Sequence, residues 1–483
     1  MNGITTLESG SREPAVAPKS IPPVPALLVL WASDPAHVGE VLLPGAKSPH
    51  VFGRGEAQDE DPYDRLLLLR QRPGATRPSS PVLSPSLSRR HLKISRGREG
   101  IHVSNLGRRG LLWNGAPVHE ITLTAGDTLE IQGEILFAYV LRPPVLASLA
   151  YGDAPSGAFG EPDAHGLVGE SVDAWWLRDQ IAFFGRRKAH VLVTGESGTG
   201  KELVAQAMHA LSERVARRLV SRNAATLPAG LIDAELFGNV AHYPNPGMPE
   251  RPGLIGEADG STLFLDEIGE LPAELQTHLL RVLDQRGDYQ RLGDARRRTS
   301  DFRLIAATNR AIDHLKHDLA ARLALRLDVP GLNERREDLP LLLRHLLART
   351  AAGDPAIGER FFEDWDGRAG SPRVSFELVR ALYLHRYTAH VRELDALLWR
   401  SMSTSRGDRL DLTDAVRAEL TTPASAARSE PSADEIVQML EKCEGMQERA
   451  WRELGLASRH VLHRLMKRYG IQGKRDSRPP PAP

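Results

Sequence analysis

The sequence predicts a multidomain protein with an all-β sandwich, an α/β domain that continues into a helical extension, and a small all-α C-terminal segment. From about residue 24 to 142, short apolar runs alternate with turn residues and show no helical period, which is typical of a sandwich. From about residue 167 to 345, short apolar strands alternate with amphipathic helical stretches, which indicates a parallel sheet covered by helices. Short helical runs follow, and they continue into the last 50 residues.

The composition of the 483-residue chain excludes several classes of protein. Lys+Arg and Asp+Glu both number 62, so the overall charge indicates no particular partner. One cysteine, Cys443, excludes a disulfide framework and fits a reducing compartment. We find no secretory signal, and no apolar stretch approaches the ~20 residues of a membrane helix. We therefore expect a cytoplasmic protein without membrane contact.

Changes of composition along the chain predict its boundaries. Residues rich in Pro and Ser also mark 71–86 as a long loop inside the sandwich. The predicted segments are a disordered tail (1–22), the β sandwich (23–145), a linker (146–165), the α/β domain (166–345), the helical extension (346–415), a second linker (416–431), the all-α segment (432–473) and a disordered tail (474–483).

A glycine-rich segment, GESGTGK, follows an apolar strand-type run and precedes a helical run. A phosphate-binding loop requires this context, because glycines let backbone N–H groups turn toward phosphates and the helix N-terminus favours anions. Lys201 is placed to reach the β- and γ-phosphates, whereas Glu202 stands where Ser or Thr usually contacts magnesium and must act differently. The candidate nucleotide-binding residues of this segment are Gly195, Glu196, Ser197, Gly198, Thr199, Gly200, Lys201 and Glu202.

Two further strand-type runs end in polar residues. LFLDE ends with Asp266, which is placed to hold Mg²⁺ directly or through water, and Glu267, which is placed to polarise an attacking water. AATNR ends with Thr308 and Asn309, a pair suited to sensing the γ-phosphate or orienting the water. The sequence therefore predicts a site for a nucleotide with Mg²⁺.

In the sandwich, FGRG and SRRH lie on separate strand-type runs. Capture of a phosphopeptide needs a guanidinium together with hydroxyl and backbone donors, since a phosphate carries about two charges and several acceptor oxygens. Arg54, Ser88 and Arg89 are the candidates for this contact.

The C-terminal segment has a local excess of positive charge that the balanced total does not show. Residues 449–475 contain eight Lys or Arg and one acid, Glu453. The pattern predicts a helix, a glycine-containing turn and a second helix, whose basic side suits phosphates and base edges. The candidate DNA-binding residues are Ser458, Arg459, His460, His463, Arg464 and Lys467.

The motifs GESGTGKE, AELFG, STLFLDEIGELP, LIAATNR, NERREDL and VREL, in this order, resemble the AAA+ domain of sigma-54-dependent transcription activators, the bacterial enhancer-binding proteins. The resemblance covers about residues 167–405 and implies a ring, expected to be a hexamer, with ATP between subunits. It assigns Asn223 to restraint of the catalytic Glu267, Arg322 to an arginine finger that acts on a neighbouring subunit, and Arg392 to nucleotide sensing from a helical lid. Lys316 replaces a second arginine finger, and YTAH (387–390) replaces the WPGN of the family.

The sandwich and the C-terminal segment carry resemblances of their own. GR, SRRH and NLG…GLLWNG resemble a forkhead-associated (FHA) domain, which binds phosphothreonine proteins; His91 would then brace the Ser88 loop. Arg109 stands where that family usually has an Asn that holds the peptide, so a non-binding domain stays an alternative. The basic C-terminal segment resembles a Fis-type helix-turn-helix.

The segment after ELFG departs from the family. The resemblance places a GAFTGA loop there, which engages sigma-54, but this chain has HYPNPG: His242, Tyr243, Pro244, Asn245, Pro246 and Gly247. Proline fixes φ and removes a donor, so the loop should be stiff and neither helix nor strand. We therefore expect a poor conventional activator of the RNA polymerase sigma-54 holoenzyme. A tyrosine contact of altered form with sigma-54 is the alternative.

These observations predict an ATP- and DNA-dependent transcription regulator, controlled by a phosphothreonine protein or a kinase. Repression, modulation of another holoenzyme and action in a mixed ring stay open. A phosphopeptide-dependent AAA+ remodelling factor is the competing class, and the basic C-terminal segment speaks against it.

Overall fold

A computed structural model describes residues 22–46, 49–56, 63–153, 157–227, 230–284, 287–310, 312–323, 325–367, 370–421, 433–443 and Met466. The chain divides into two compact units, Met1–Arg417 and Ala418–Pro483. The predicted tails, 1–22 and 474–483, lie outside the described residues apart from Pro22. No helix in the described ranges is long and apolar enough to span a membrane.

The first part of unit 1 is a β sandwich. Its eight-stranded sheet has the order β10-β9-β12-β13-β1-β2-β5-β6, and its five-stranded sheet has the order β11-β8-β7-β3-β4. A common core lies between them, in which Leu27, Val29, Phe52 and Phe137 are buried. The strands are β1 (Val24–Ala32), β2 (Val41–Leu42), β3 (His50–Phe52), β4 (Asp64–Arg65), β5 (Leu69–Arg72), β6 (Ala75–Pro78), β7 (Leu92–Arg96), β8 (Ile101–Asn105), β9 (Leu111–Trp113), β10 (Ala116–Val118), β11 (Glu120–Leu123), β12 (Thr128–Ile131) and β13 (Ile135–Arg142).

The prediction of one long loop over 71–86 is wrong in its first half. Strands β5 and β6 form an antiparallel hairpin, in which Leu69 pairs with Pro78. Gly74 turns the chain with φ +72°. Because β6 is the last strand of its sheet, Pro78 disrupts no ladder on its outer side, which is where a sheet tolerates proline.

The second part of unit 1 is the predicted α/β domain. Its five strands, in the order β15-β16-β19-β14-β20, are parallel. Helices and strands in this part are α1 (Val172–Gly185), β14 (Val191–Thr194), α2 (Lys201–Ala210), β15 (Val220–Asn223), α3 (Ile232–Phe237), α4 (Gly253–Glu257), β16 (Thr262–Asp266), α5 (Ala273–Asp284), β17 (Asp288–Tyr289), β18 (Arg298–Thr299), β19 (Arg303–Thr308), α6 (His317–Arg322) and β20 (Leu325–Asp328).

Both faces of this sheet are buried. Successive side chains of a strand point to opposite faces, so a strand that is apolar at every position is covered on both sides. In β16, Leu263 and Leu265 face the core beneath α3–α6, and Phe264 faces the core beneath α1 and α2. Buried Arg303 donates from its guanidinium to the carbonyls of Phe184 and Gly185, at the C-terminal end of α1. This bond fixes α1 to the sheet.

The helical extension follows β20 and forms a lid. Its elements are α7 (Leu339–Gly353), α8 (Pro355–Phe361), β21 (Phe362–Glu363), β22 (Ser371–Pro372), α9 (Phe376–Leu384), α10 (His390–Thr404) and α11 (Asp414–Thr421). The predicted boundary between 345 and 346 falls inside α7, because Pro340 at the start of that helix sets its beginning earlier. The boundary between 415 and 416 likewise falls inside α11.

Unit 2 begins at Ala418 within α11, and beyond that helix the structure describes α12 (Ala433–Lys442), Cys443 and the isolated Met466. Ile436, Cys443 and Met466 are buried. The predicted DNA-binding residues, from Ser458 to Lys467, lie outside the described residues.

Candidate nucleotide site and peptide-binding loops

The phosphate-binding loop, residues 195–201, joins β14 to α2. Gly195, Gly198 and Gly200 all have positive φ, between +81° and +149°, which explains the glycines at these positions. Lys201 is the first residue of α2, and its Nζ donates to the carbonyls of Gly195 (2.9 Å) and Glu196 (3.1 Å). Burial lowers the pKa of Lys201, while Glu267 and Asp266 oppose this shift. The ammonium is therefore held within its own loop and near the two acids.

The carboxyl ends of the central strands bring the other predicted residues together. Asn223 pairs with Asp266 in the parallel register of β15 and β16. Glu267 follows in a left-handed conformation (φ +52°), and its carboxylate accepts from the backbone N–H of Asn309 at 3.4 Å. Thr308, at the end of β19, is fully buried, and its hydroxyl accepts from the N–H of Arg310.

Asn223 occupies the predicted edge without the predicted contact. Its side-chain oxygen accepts from the N–H of Ala225 at 2.8 Å and caps the short turn after β15. No hydrogen bond to Glu267 is present among the described residues. The proposed restraint of the glutamate is therefore not made in this conformation.

The lid approaches the phosphate-binding loop through the first turn of α10. Arg392 donates to the hydroxyl of Ser197 at 3.0 Å. His390, which is buried, accepts from the N–H of Leu332 through Nδ1, so its Nε2 carries the proton and donates to the Glu196 carboxylate at 2.9 Å. The YTAH segment thus provides a second contact between lid and loop, which sequence reasoning missed.

A cavity of about 330 Å³ lies between the loop and the lid. Lys201, Asp266, Glu267, Arg392 and Glu202 are among the residues that line it. The lining also includes apolar and basic residues that the sequence did not single out. These residues are Gly166, Leu167, Val168, Leu342, His345, Leu346 and Arg349.

The residues around the cavity fit a magnesium ion bound together with phosphates. Asp266 and Glu267 both line this cavity, and Mg²⁺ prefers oxygen ligands shared between one or two carboxylates and a substrate's phosphates. The Glu202 carboxylate accepts from the Gln206 amide on the same helix at 3.4 Å. Asp266 keeps one oxygen on the N–H of Glu267 at 3.0 Å.

The predicted arginine finger lies apart from this cavity. Arg322 ends α6 and is exposed, and the described residues that line the cavity do not include it. Lys316, at the second finger position, instead caps α6 with its backbone and donates from Nζ to the hydroxyl of Thr277.

The residues of the predicted phosphopeptide site lie on neighbouring loops of the sandwich. The N–H of Arg54 donates to the carbonyl of Ser88 at 3.0 Å, so the two loops are neighbours. Buried His91 accepts from the N–H of Ser88 at 3.2 Å, which is the bracing role expected of it. Arg54 is half-buried and Arg89 is exposed.

Arg65 is a residue of this site that sequence reasoning missed. Its guanidinium donates to the carbonyls of Arg54 (2.5 Å), Gly55 (3.1 Å) and Arg89 (2.9 Å) and so ties both loops together. Arg65 lies in no recognisable motif, because the partners of its guanidinium are backbone oxygens that lie ten or more residues away in the sequence.

Arg109, at the position of the family's Asn, is directed elsewhere. Its guanidinium donates to the carbonyl of Gln132 (3.0 Å) and the hydroxyl of Ser86 (2.8 Å) and forms an ion pair with buried Glu134 (3.2 Å). It therefore holds the sandwich rather than an incoming peptide.

Comparison with known proteins identifies the family. The Sigma-54 interaction domain model matches residues 167–332, and the FHA domain model matches residues 70–132. Transcriptional regulatory protein ZraR of Escherichia coli (strain K12) is 34% identical over 316 residues, which cover 62% of this chain and 68% of ZraR. The chain belongs to the family of sigma-54 transcriptional regulators.

The match to another relative covers a smaller share of that relative's length. Formate hydrogenlyase transcriptional activator FhlA of Escherichia coli (strain K12) is 36% identical over 329 residues, 65% of this chain and 45% of FhlA. This chain therefore spans less than half the length of that relative. A crystal structure of NtrX from Brucella abortus in complex with ADP is 30% identical, with a TM-score of 0.45, over 64% of this chain and 70% of NtrX.

The loop at 242–247 is exposed and is neither helix nor strand, as predicted. The His242 N–H donates to the carbonyl of Met248 (2.8 Å), and the His242 ring accepts from the N–H of Gly247 (3.1 Å). Buried Asn239 donates to the carbonyls of Val240, Tyr243 and Pro249.

The same loop is fastened to the β17–β18 hairpin. The Tyr243 ring lies so close to Gly293 that a Cβ there would come within 2.6 Å of the tyrosine Cγ. Arg291 forms an ion pair with Glu250 beyond the other end of the loop. The proline content alone therefore does not explain how this loop is held in its conformation.

Proposed function

We propose that this regulator binds and hydrolyses ATP with Mg²⁺ and couples the reaction to transcription from DNA. The observation that supports this best is the single cavity that combines Lys201, Asp266, Glu267 and the lid residue Arg392. Carboxylates at the carboxyl edge of a parallel sheet, facing a lysine on a glycine-rich loop, suit phosphoryl transfer to water.

Each residue has a defined role in the proposal. Lys201 turns from its loop carbonyls to the β- and γ-phosphates, and Asp266 holds Mg²⁺, which would neutralise charge on the phosphates. Glu267 accepts a proton from the attacking water, and Asn223 restrains that carboxylate once its side chain leaves the N–H of Ala225. Thr308 and Asn309 position the water, Arg392 senses the nucleotide, and Arg322 reaches the γ-phosphate bound to a neighbour in a hexameric ring.

Steady-state ATPase assays and nucleotide titrations of the full chain test this assignment. Lys201→Ala should lose ATP binding, whereas Glu267→Gln should retain binding and lose turnover. A mixture of Arg322→Ala and Glu267→Gln subunits should regain part of the activity if the finger acts in trans. Normal turnover in both single variants, Lys201→Ala and Glu267→Gln, would contradict the proposal.

We further propose that the FHA domain places the ATPase under phosphothreonine control through Arg54, Ser88 and Arg89. Arg65 supports this, because it holds the loops of Arg54 and Arg89 in one arrangement through three carbonyls. The C-terminal segment 432–473, in which the basic residues are concentrated from 449 onward, is proposed to bind upstream promoter DNA through Ser458, Arg459, His460, His463, Arg464 and Lys467.

For the loop, we propose that HYPNPG does not support conventional activation of the sigma-54 holoenzyme. Asn239, Tyr243 and Gly293 hold it against a neighbouring hairpin, whereas a loop that engages sigma-54 only with ATP must move. The regulator then represses, modulates another holoenzyme, or acts in a mixed ring with an intact paralogue. In vitro transcription with purified sigma-54 holoenzyme tests this: robust ATP-dependent open complexes with the unmodified chain would refute it, and activation only after grafting GAFTGA onto 242–247 would support it.

A further inference from the structure

The sandwich is packed against both halves of the nucleotide-binding domain by one pair of strands. In the antiparallel ribbon of β1 and β13, Val24 pairs with Arg142 at one end, and Ala32 pairs with Ile135 at the other. Nine residues of β1 span about 26 Å at ~3.3 Å per residue. The ribbon is long enough to contact two separate subdomains.

One end of the ribbon contacts the α/β core and the segment that leads to the lid. Arg142, which is buried, donates to the carbonyl of Glu170 (2.6 Å) and forms an ion pair with Glu337 (3.0 Å). From strand β5 of the same sheet, Arg72 forms a second ion pair with the Glu170 carboxylate (2.6 Å). The Trp175 indole on α1 also donates to that carboxylate (3.0 Å).

The other end of the ribbon contacts the lid. The Trp31 indole donates to the carbonyl of Val374 at 2.8 Å, and its ring meets Phe376 of α9 edge to face with centroids 6.0 Å apart. A register shift between Val29 and Trp31 interrupts the alternation along β1, so Ala32 rather than Trp31 joins the sandwich core. The contacts of the tryptophan therefore serve the interface and not the sandwich itself.

The segment that Arg142 contacts also lines the nucleotide cavity. Arg335, two residues before Glu337, is almost fully buried, donates to the carbonyl of Thr199 in the phosphate-binding loop (3.4 Å), and lines the cavity. Its Nε has no hydrogen-bond partner among the described residues. Residues 335–338 therefore join the sandwich, the α/β core and the phosphate-binding loop within four positions.

We propose that the β1–β13 ribbon braces the lid against the α/β core and thereby limits how fast the nucleotide cavity opens, with Arg142 and Trp31 as its two attachment points. The cavity is lined from both subdomains, so their separation opens a path by which a bound nucleotide leaves. A rigid two-stranded element fixed to both subdomains opposes that separation. A ligand that releases the sandwich accelerates nucleotide exchange.

The test measures release of a fluorescent N-methylanthraniloyl ADP from the full chain by stopped flow. Arg142→Met and Trp31→Phe each remove one attachment point without hollowing the sandwich core. We expect dissociation at least about threefold faster in each variant and faster still in the double variant. Arg186→Met, which removes an exposed ion pair with Asp153, and Trp113→Phe, which removes an indole bond to Asp127 within the sandwich, are matched controls that should release ADP like the unmodified chain.

Dissociation that is unchanged in the double variant would overturn the brace. The ADP measurement rests on the proposed nucleotide binding, so hydrogen exchange of α10 and of residues 195–201 is measured in parallel. If the unmodified chain does not bind the ADP probe, the proposed ATPase fails, and exchange alone decides: faster exchange in the double variant supports the brace, and equal exchange overturns it.

Discussion

Asp338 should be essential to the arrangement of the nucleotide-binding domain, although it contacts no predicted site residue. The carboxylate is fully buried. Its Oδ1 accepts from the N–H groups of Glu170 and Ser171, both at 2.8 Å, and its Oδ2 accepts from the Ser171 hydroxyl at 2.6 Å. Ser171 in turn caps α1, so Asp338 fixes the start of that helix.

The structure gives different magnitudes for two substitutions. Asp338→Ala leaves three buried donors without an acceptor, and at about 1–3 kcal/mol each the local arrangement loses at least ~3 kcal/mol. Asp338→Asn keeps an oxygen at the position that serves both backbone donors and changes one bond, at a cost of about 1 kcal/mol. Since ~1.4 kcal/mol corresponds to a tenfold change, alanine should speed exchange of the Glu170 and Ser171 amides by about 100-fold and asparagine by less than about tenfold.

Hydrogen exchange with mass spectrometry on peptides that cover 166–180 measures this directly in the full chain. Asp354→Ala is the matched control, because Asp354 caps α8 from an exposed position through one bond of 3.2 Å. Equal exchange in the alanine and asparagine variants would refute the reasoning, since it would mean that the acceptor geometry of Asp338 does not hold the segment.

Three other predictions concern charge, peptide and DNA. Burial raises the pKa of Glu337 to about 7, so the folded chain keeps a proton that the unfolded chain releases near the ordinary pKa of 4.5. Glu337 should therefore make the stability of the fold decrease as pH rises from about 4.5 to 7. Glu337→Gln should remove that part of the decline in melting temperature. Arg54→Ala should abolish the preference of the full chain for phosphothreonine over unphosphorylated library peptides, and equal binding of both by the unmodified chain would count against the site. Deletion of 432–476 should remove salt-sensitive DNA retention in gel shifts while ATPase activity persists; if retention persists, DNA is bound elsewhere.

The sequence predicted those features whose residues lie within one contiguous motif. Lys201 at the first position of a helix and Asp266 at the end of a buried strand follow from local pattern alone, and the structure brings them into one cavity. Gly169 illustrates the limit. A Cβ there would lie 2.5 Å from Asp338, a residue in a distant part of the chain, and no local pattern reveals such a partner.

One feature of the sequence reflects the packing of the sandwich against the rest of unit 1, and the prediction did not use it. The run PALLVLW is apolar without alternation, and such a run is typical of a strand buried on both faces. In the structure, Leu27 and Val29 face the sandwich core, while Leu28 and Leu30 are equally buried without belonging to it. A sandwich with one solvated face would have shown polar residues at the alternate positions.

The composition of residues 242–247 correctly predicted a segment that is neither helix nor strand, but it gave an incomplete reason for the conformation of the loop. Proline restricts φ within the loop, but it does not determine where the loop lies. That position depends on Asn239, which serves three carbonyls, and on Tyr243, which packs on Gly293. These partners are backbone groups and a glycine surface, which have no signature in sequence.

A GAFTGA segment lacks the tyrosine as well as both prolines, so the proposed graft removes the restraint on φ and the attachment to the hairpin together. Replacing Tyr243 alone would remove only the attachment, and the comparison of the two variants separates the stiffness of the loop from its anchoring.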